Sequence, residues 1–440
     1  MMKISGRTAA LALSVATVGL PLTSHADDEA ALAQKGSYIA ILGDCAACHT
    51  SPDGPPFSGG LGLNSPLGKI YATNITPDKK TGIGNWSFED FERLMRHGIR
   101  KDGSTVYPAM PYPSYAHMSD NDLHALYAYL MHSVVPVEQI NKVADIRWPF
   151  SIKWPLSIWR MVFVPKITPS SDNSSEIERG RYLVEGPGHC GSCHTPRNFA
   201  MAEKALDDSD QRYLSGGFVI DNWVAPSLRS DTFDGLEAWS AADIATFLKK
   251  GRDQHGATFG AMNGVVIHST SQMTDDDLSA IGKYLKTLKT PTNAKNVSFT
   301  YNPTIAHELA SGKLPTHGAA LYVDRCAACH RPDGRGYPDV FPELAGNPVL
   351  QSANASSVAH LILNGGRLPA LKTAPSSLVM GPYRDILDDQ DIADLTNFVQ
   401  SAWGNRGGKI TADDVAKLRK ETKWETLKGG SPETTPEITQ

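Results

Sequence analysis

Gly43-Asp44-Cys45-Ala46-Ala47-Cys48-His49-Thr50 contains a Cys-x-x-Cys-His pentapeptide, which returns as Cys190-Gly191-Ser192-Cys193-His194 and Cys326-Ala327-Ala328-Cys329-His330. The three copies use all six cysteines of the chain. Two thiols one helical turn apart suit thioether bonds to the two vinyl groups of a c-type haem, and the adjacent imidazole suits the iron. A structural zinc site has no need of a histidine after each second cysteine, and a redox dithiol belongs in a βαβ context that this pattern lacks. The spacing therefore predicts three covalent haems c. They would be attached at Cys45 and Cys48, Cys190 and Cys193, and Cys326 and Cys329, with His49, His194 and His330 as axial ligands.

The amino terminus reads as a secretory leader. Lys3 and Arg7 form a basic start, Ala9 to Leu20 an apolar run, and Ser24-His25-Ala26 a small-x-small cleavage site. The apolar run falls short of the roughly 20 residues that span a bilayer. Covalent haem c is installed outside the bacterial cytoplasm, so a leader over 1–26 implies a periplasmic protein. Its removal moves the formal charge from -5 to -7, and an acidic chain is a poor nucleic-acid partner.

An internal repeat divides the rest. Gly36 and Tyr38 before the first motif match Gly180 and Tyr182 before the second, and Trp86-Ser87 matches Trp239-Ser240. Each Ser precedes an Asp by three residues (Asp90, Asp243), a capping-box signature. Apolar positions at helical spacing follow: Phe91, Leu94 and Met95, then Ile244, Phe247 and Leu248, with Val358, Leu361 and Ile362 in the third copy. Closing helices are announced by Ser119-x-x-Asp122, Thr274-x-x-Asp277 and Asp388-x-x-Asp391. The expected fold is all-α, with three tandem cytochrome c domains, each wrapped around one haem that replaces much of a core too small to stand alone. The boundaries expected are a leader over 1–26, domains over 27–146, 175–290 and 313–405, linkers over 147–174 and 291–312, and a polar tail over 406–440 with a short helix.

The sixth iron ligand lies far from each motif. Met110 and Met118 occupy corresponding places in the first copy to Met262 and Met273 in the second, whereas the third offers Met380 alone, with Leu387 at the place of Met118 and Met273. If the three copies ligate alike, the ligands are Met110, Met262 and Met380. Met118 and Met273 then pack the closing helices. His97, His117, His255 and His360 could supply bis-histidine ligation, but none repeats: His97 corresponds to Lys250 and Asn364. Met/His ligation raises the potential relative to bis-His and leaves no open coordination site, so these haems are expected to carry electrons. A self-contained haem peroxidase, the alternative, requires an open or high-spin iron.

Four stretches narrow the class further: Gly43 to Thr50, Ala72-Thr73-Asn74-Ile75-Thr76-Pro77-Asp78, Tyr107-Pro108-Ala109-Met110-Pro111-Tyr112, and Ser401-Ala402-Trp403-Gly404-Asn405. With them the chain resembles the three-haem cytochrome c subunits of membrane-bound periplasmic dehydrogenases, the group of gluconate 2-dehydrogenase and quinoprotein alcohol dehydrogenase. The resemblance implies a separate catalytic subunit holding FAD or PQQ, a small third subunit, ubiquinone as acceptor, and association with the periplasmic face of the inner membrane. Gluconate is the expected substrate of the partner, with alcohol, a polyol or an aldehyde as rivals. The chain has no Gly-x-Gly-x-x-Gly strand-turn-helix element and no propeller repeat for substrate oxidation of its own. Arg147 to Pro165, rich in Trp and basic residues, suits either a lipid interface or packing between the first two domains. The tail lacks the apolar carboxyl-terminal helix by which relatives attach to the membrane.

Overall fold

The computed structural model describes residues 23–65, 67–169, 175–231, 233–292 and 298–422. Of the expected leader, all but the last four residues lie outside these, as do parts of both linkers and the end of the tail.

Three helix pairs organise the chain. A leading helix precedes each Cys-x-x-Cys-His motif (Thr23–Leu42, Glu176–Glu185, His317–Arg325) and packs on a closing helix (Asp120–His132, Asp275–Thr287, Asp389–Val399). One glycine makes each crossing close. A Cβ on Gly36 would stand 1.9 Å from the carbonyl oxygen of Ala125, one on Gly180 2.0 Å from that of Ala280, and one on Gly318 2.3 Å from that of Asp394. The three contacts fall at the same offset from the helix caps Ser119, Thr274 and Asp388, so one packing geometry occurs three times.

The caps form as their sequences predict. Ser119, Thr274 and Asp388 each accept from the backbone N–H three residues on, and Ser87 and Ser240 make full capping boxes with Asp90 and Asp243. Each such cap is worth about 1 kcal/mol. In the third unit the helix Ser356–Asn364 starts at Ala355 without a side-chain cap.

The described residues are mainly helical, as the all-α expectation has it, with a few short strands besides. Gly62–Ser65, Gly68–Tyr71 and Asp145–Ile146 form a three-stranded antiparallel sheet; Val219–Ile220 pairs with Trp223–Val224, and Gly366–Arg367 with Val379–Met380. These short ribbons carry the long loops that leave and re-enter each unit.

Two cores result. Leu42, Leu123, Leu126 and Met118 of the first unit are continuous with Leu183, Tyr284 and Met273 of the second, whereas Tyr322, Ile392, Leu395 and Trp403 build a separate core in the third. The helix Ala412–Glu421 adds Val415 and Leu418 to that third core. Arg419 fixes it to Asp389 at 2.7 Å. This helix is therefore packed structure rather than a free tail.

Candidate haem-binding sites

Each motif forms a single helical turn: Cys45–His49, Gly191–His194 and Ala327–His330. The turn opens from a leading helix that ends just before the first cysteine, with Asp44 and His189 in the left-handed region (φ 50° and 40°) directly before Cys45 and Cys190. That reversal swings the first two motifs off their leading helices, whereas the third follows directly on Arg325.

The imidazoles are held alike. His49 Nδ1 lies 2.6 Å from the carbonyl oxygen of Thr73, His194 Nδ1 2.8 Å from that of Pro226, and His330 Nδ1 3.0 Å from that of Pro342. A carbonyl oxygen only accepts, so Nδ1 carries the proton in all three rings and Nε2 keeps its lone pair. This is the tautomer and orientation that metal-bound histidines show. Burial lowers the pKa of all three below the ordinary histidine value, against the smaller opposing effect of the carbonyl bond. Neutral imidazole, the ligating form, is favoured.

The thiols are equally informative. Burial pushes Cys45, Cys48, Cys190 and Cys326 up to about 12 and Cys193 to about 11. A redox dithiol needs a depressed value, so these pairs are poor candidates for disulfide exchange. Two thiols and one oriented neutral imidazole per motif fit a covalent haem.

The first two motifs face one another. Tyr115, whose hydroxyl donates to the Gly43 carbonyl at 2.9 Å, meets the His189 ring edge to face at 5.7 Å. Asp44, held by burial well above the ordinary carboxylate value, acts on Cys45 and Cys48 and also on Cys193 of the second motif. The second and third units meet elsewhere, where the Trp223 ring stacks on His360 at 3.8 Å and Val224 N–H donates to Ser357 at 2.7 Å.

The cytochrome c family model matches residues 33–133 and 315–403. The chain is 53% identical over 424 residues to the cytochrome c subunit of the quinone alcohol dehydrogenase of Komagataeibacter europaeus, covering 95% of this chain and 90% of the relative. It belongs to the family of dehydrogenase cytochrome c subunits. Further members include the gluconate 2-dehydrogenase cytochrome c subunit of Pantoea cypripedii, 48% identical with 96% of this chain and 97% of the relative covered. Another is the fructose dehydrogenase cytochrome subunit of Gluconobacter japonicus, 37% identical with 88% and 82% covered. As a member of this family the chain is an electron-transfer subunit that binds haem c covalently.

The candidate sixth ligands of this cytochrome subunit arrive on three different elements. Met110 sits in a turn closed by its own N–H on the Tyr107 carbonyl at 3.2 Å, Met262 in the first turn of the helix Ala261–His268, and Met380 on a short strand paired with Gly366. All three are half-buried, and Met110 and Met380 pack against the two cores. Met118, Met273 and Leu387 are by contrast wholly enclosed immediately before their closing helices. Among the other histidines, His97 is exposed and His255 stacks on Trp239. His117 is buried beside Gly186 of the second unit and His360 under Trp223, so these two lie at unit boundaries.

Sequence reading missed the carbonyl partners Thr73, Pro226 and Pro342. Their signal was present: each is followed two residues later by a branched apolar side chain, Ile75, Leu228 or Leu344, which packs on the core and so pins the carbonyl in place.

Proposed function

We propose that this subunit carries three haems c, one in each of three cytochrome c domains, and passes electrons from a catalytic dehydrogenase subunit to ubiquinone at the periplasmic face of the inner membrane. The observation that carries this reading is the threefold recurrence of one arrangement: two thiols, a histidine locked by its Nδ1–H on a backbone carbonyl, and a glycine-mediated helix crossing. When bound, haem c supplies one-electron iron chemistry. The chain's own residues do the rest. Cys45 and Cys48, Cys190 and Cys193, and Cys326 and Cys329 would tether the haems; His49, His194 and His330 would offer Nε2 to the iron; Met110, Met262 and Met380 would supply the other ligand and so leave no place for peroxide or oxygen.

Substrate oxidation belongs to the partner, which would hold FAD or PQQ and which in the proposed complex is joined by a small third subunit. Identity of 53% to alcohol dehydrogenase subunits against 48% to a gluconate 2-dehydrogenase subunit makes an alcohol the first donor to test and gluconate the second. A quinone acceptor dissolved in lipid requires the complex to sit on the membrane, although no described helix is long and apolar enough to cross one.

The test is to prepare the catalytic partner with and without this chain. Reduction of an artificial dye survives in the partner alone, and substrate-dependent ubiquinone reduction requires the cytochrome. Unchanged quinone reduction without it would sink the proposal.

A further inference from the structure

Between Asp145 and Asp172 the chain has no acidic residue, yet it carries Arg147, Lys153, Arg160 and Lys166 in a protein whose overall formal charge is -5. The same stretch concentrates exposed apolar side chains. Trp148 is 80% exposed, Trp154 68%, Met161 71% and Val162 66%, with Phe199 of the second unit 96% exposed beside them, its ring 6.5 Å from Phe163.

The segment is nevertheless firmly attached. Tyr107 donates to the Phe150 carbonyl at 3.1 Å, Arg160 to the His97 carbonyl at 3.1 Å, and Trp159 Nε1 to the Ala200 carbonyl at 2.8 Å. One side thus straps the first two units together. On the helix Pro155–Phe163, Trp159 and Arg160 turn inward, while Ile158, Met161 and Val162 continue the exposed face begun by Trp154. Packing between the first two units, one of the two alternatives open at the level of sequence, is thus seen on one face of the segment, and the opposite face is exposed.

We infer that residues 147–166, with Phe199, form a monotopic docking element for an anionic phospholipid surface. The occupant follows from charge and composition. Two tryptophans among evenly spaced basic residues are suited to the boundary between lipid headgroups and acyl chains, with the apolar face inserted and the cations against phosphate. Protein interfaces, in contrast, are depleted of lysine. The acidic remainder of the molecule is repelled by the same surface, so the attraction also orients the protein with this side down. The inference rests on the membrane-surface placement proposed above and names the part of the chain that achieves it, no helix among the described residues being able to span a bilayer. It also places the Tyr107-to-Tyr112 loop of the first unit, which holds Met110, next to the bilayer.

The experiment uses the intact holoprotein and sedimentation with vesicles of phosphatidylglycerol and phosphatidylethanolamine, against vesicles of phosphatidylcholine alone. The wild type is expected to bind the anionic vesicles, more weakly as salt rises. A Trp154→Ser, Met161→Ser, Val162→Ser variant should bind about tenfold more weakly or worse. Replacement of Arg147, Lys153 and Lys166 by Gln should remove the preference for anionic lipid. Because these side chains are exposed, haem absorbance and melting temperature should stay unchanged, which separates loss of docking from loss of fold. Variants that bind like the wild type overturn the inference and leave membrane placement standing. A wild type that binds no vesicle overturns that placement itself. Variants that keep vesicle binding but no longer co-purify with the catalytic subunit would show that the patch docks protein.

Discussion

The Tyr38 hydroxyl donates to the Asp277 carboxylate at 2.7 Å, from the leading helix of the first unit to the closing helix of the second. Its mirror is present: Tyr182 of the second unit donates to Asp122 of the first. Each acid is also paired within its own unit, Lys35 to Asp122 at 2.7 Å and Arg179 to Asp277 at 2.8 Å. Two positions of the repeat, four residues in all, thus exchange partners across a pseudo-twofold axis, as in an isologous dimer. A hydrogen bond to a charged group contributes about 1.5–3 kcal/mol. The Tyr38→Phe, Tyr182→Phe double variant should therefore loosen the joint between the first two units. Hydrogen exchange should rise at residues 119–123 and 274–278, while covalent haem content stays at the wild-type level.

The same joint should weaken in acid. Burial alone would raise the Asp277 pKa, but hydrogen bonds from Arg179 and Tyr38 outweigh it and hold the carboxylate below its ordinary value. A depressed carboxylate contributes stability that is fully present above the unfolded value of about 3.9 and is lost as pH falls through the folded one. Protection at the joint, measured as exchange relative to the intrinsic amide rate at each pH, should thus be flat from pH 5 to 7 and fall below about pH 4. The Asp277→Asn variant should show the loosened behaviour at every pH; an acid response as large as the wild type's in that variant would assign it to another group.

This joint also marks where sequence reading stops. The motifs and the helix starts were legible because each depends on neighbours within a few residues; Gly36 and Gly180 stood out as a repeat, but their close approach to Ala125 and Ala280, and the matching role of Gly318, did not. Ser87 with Asp90 and Ser240 with Asp243 close full capping boxes as expected. Asp122 and Asp277 carry the same local signature but turn away from their caps to meet a tyrosine of the other unit, a choice made by tertiary contact. Thr73, Pro226 and Pro342 act through backbone carbonyls, which leave no side-chain chemistry to read. Trp159 and Trp154 look alike in sequence, and only the position of Ala200 decides that one packs and the other is exposed.

The three crossings predict a specific failure. Gly36→Ala, Gly180→Ala or Gly318→Ala places a methyl group about 2 Å from a backbone carbonyl on the opposing helix. Overpacking usually costs 1–3 kcal/mol, and helix backbones cannot yield as a side-chain tip can, so about 3 kcal/mol is expected. Each variant should lower one unfolding transition and reduce haem incorporation in its own unit, measured by pyridine haemochrome absorbance against protein mass. Gly103→Ala, whose Cβ meets nothing within 4 Å, is the matched control for space, though its φ of 80° adds a small backbone cost.

Glu185 ends the second leading helix, and burial raises its pKa to about 7 despite the Tyr284 hydroxyl donating to it at 2.7 Å. The folded state then binds a proton that the unfolded state has released. Stability is full below the unfolded value near 4.3 and falls as pH rises toward 7, by on the order of 3 kcal/mol in total. Glu185→Gln keeps an acceptor for Tyr284 and carries no charge, so its melting temperature should change less between pH 5 and 7.5 than that of the wild type. Parallel pH profiles would place the titration elsewhere.

The methionines give the sharpest test of the proposed haem environments. Met110, Met262 and Met380 are half-buried, whereas Met118, Met273 and Leu387 are sealed before their closing helices, so the two sets should respond differently to substitution. Imidazole donates more strongly to ferric iron than a thioether does, and exchange of Met for His lowers the potential. Met110→His, Met262→His and Met380→His should each shift one component of a redox titration downward and leave the other two in place. Met118→Leu and Met273→Leu change packing alone, at a cost under about 1.5 kcal/mol, with the potentials unmoved. A large shift from Met118 or Met273, with none from Met110 or Met262, would transfer the ligand role to the sealed set and require the loops before the closing helices to rearrange when haem is attached.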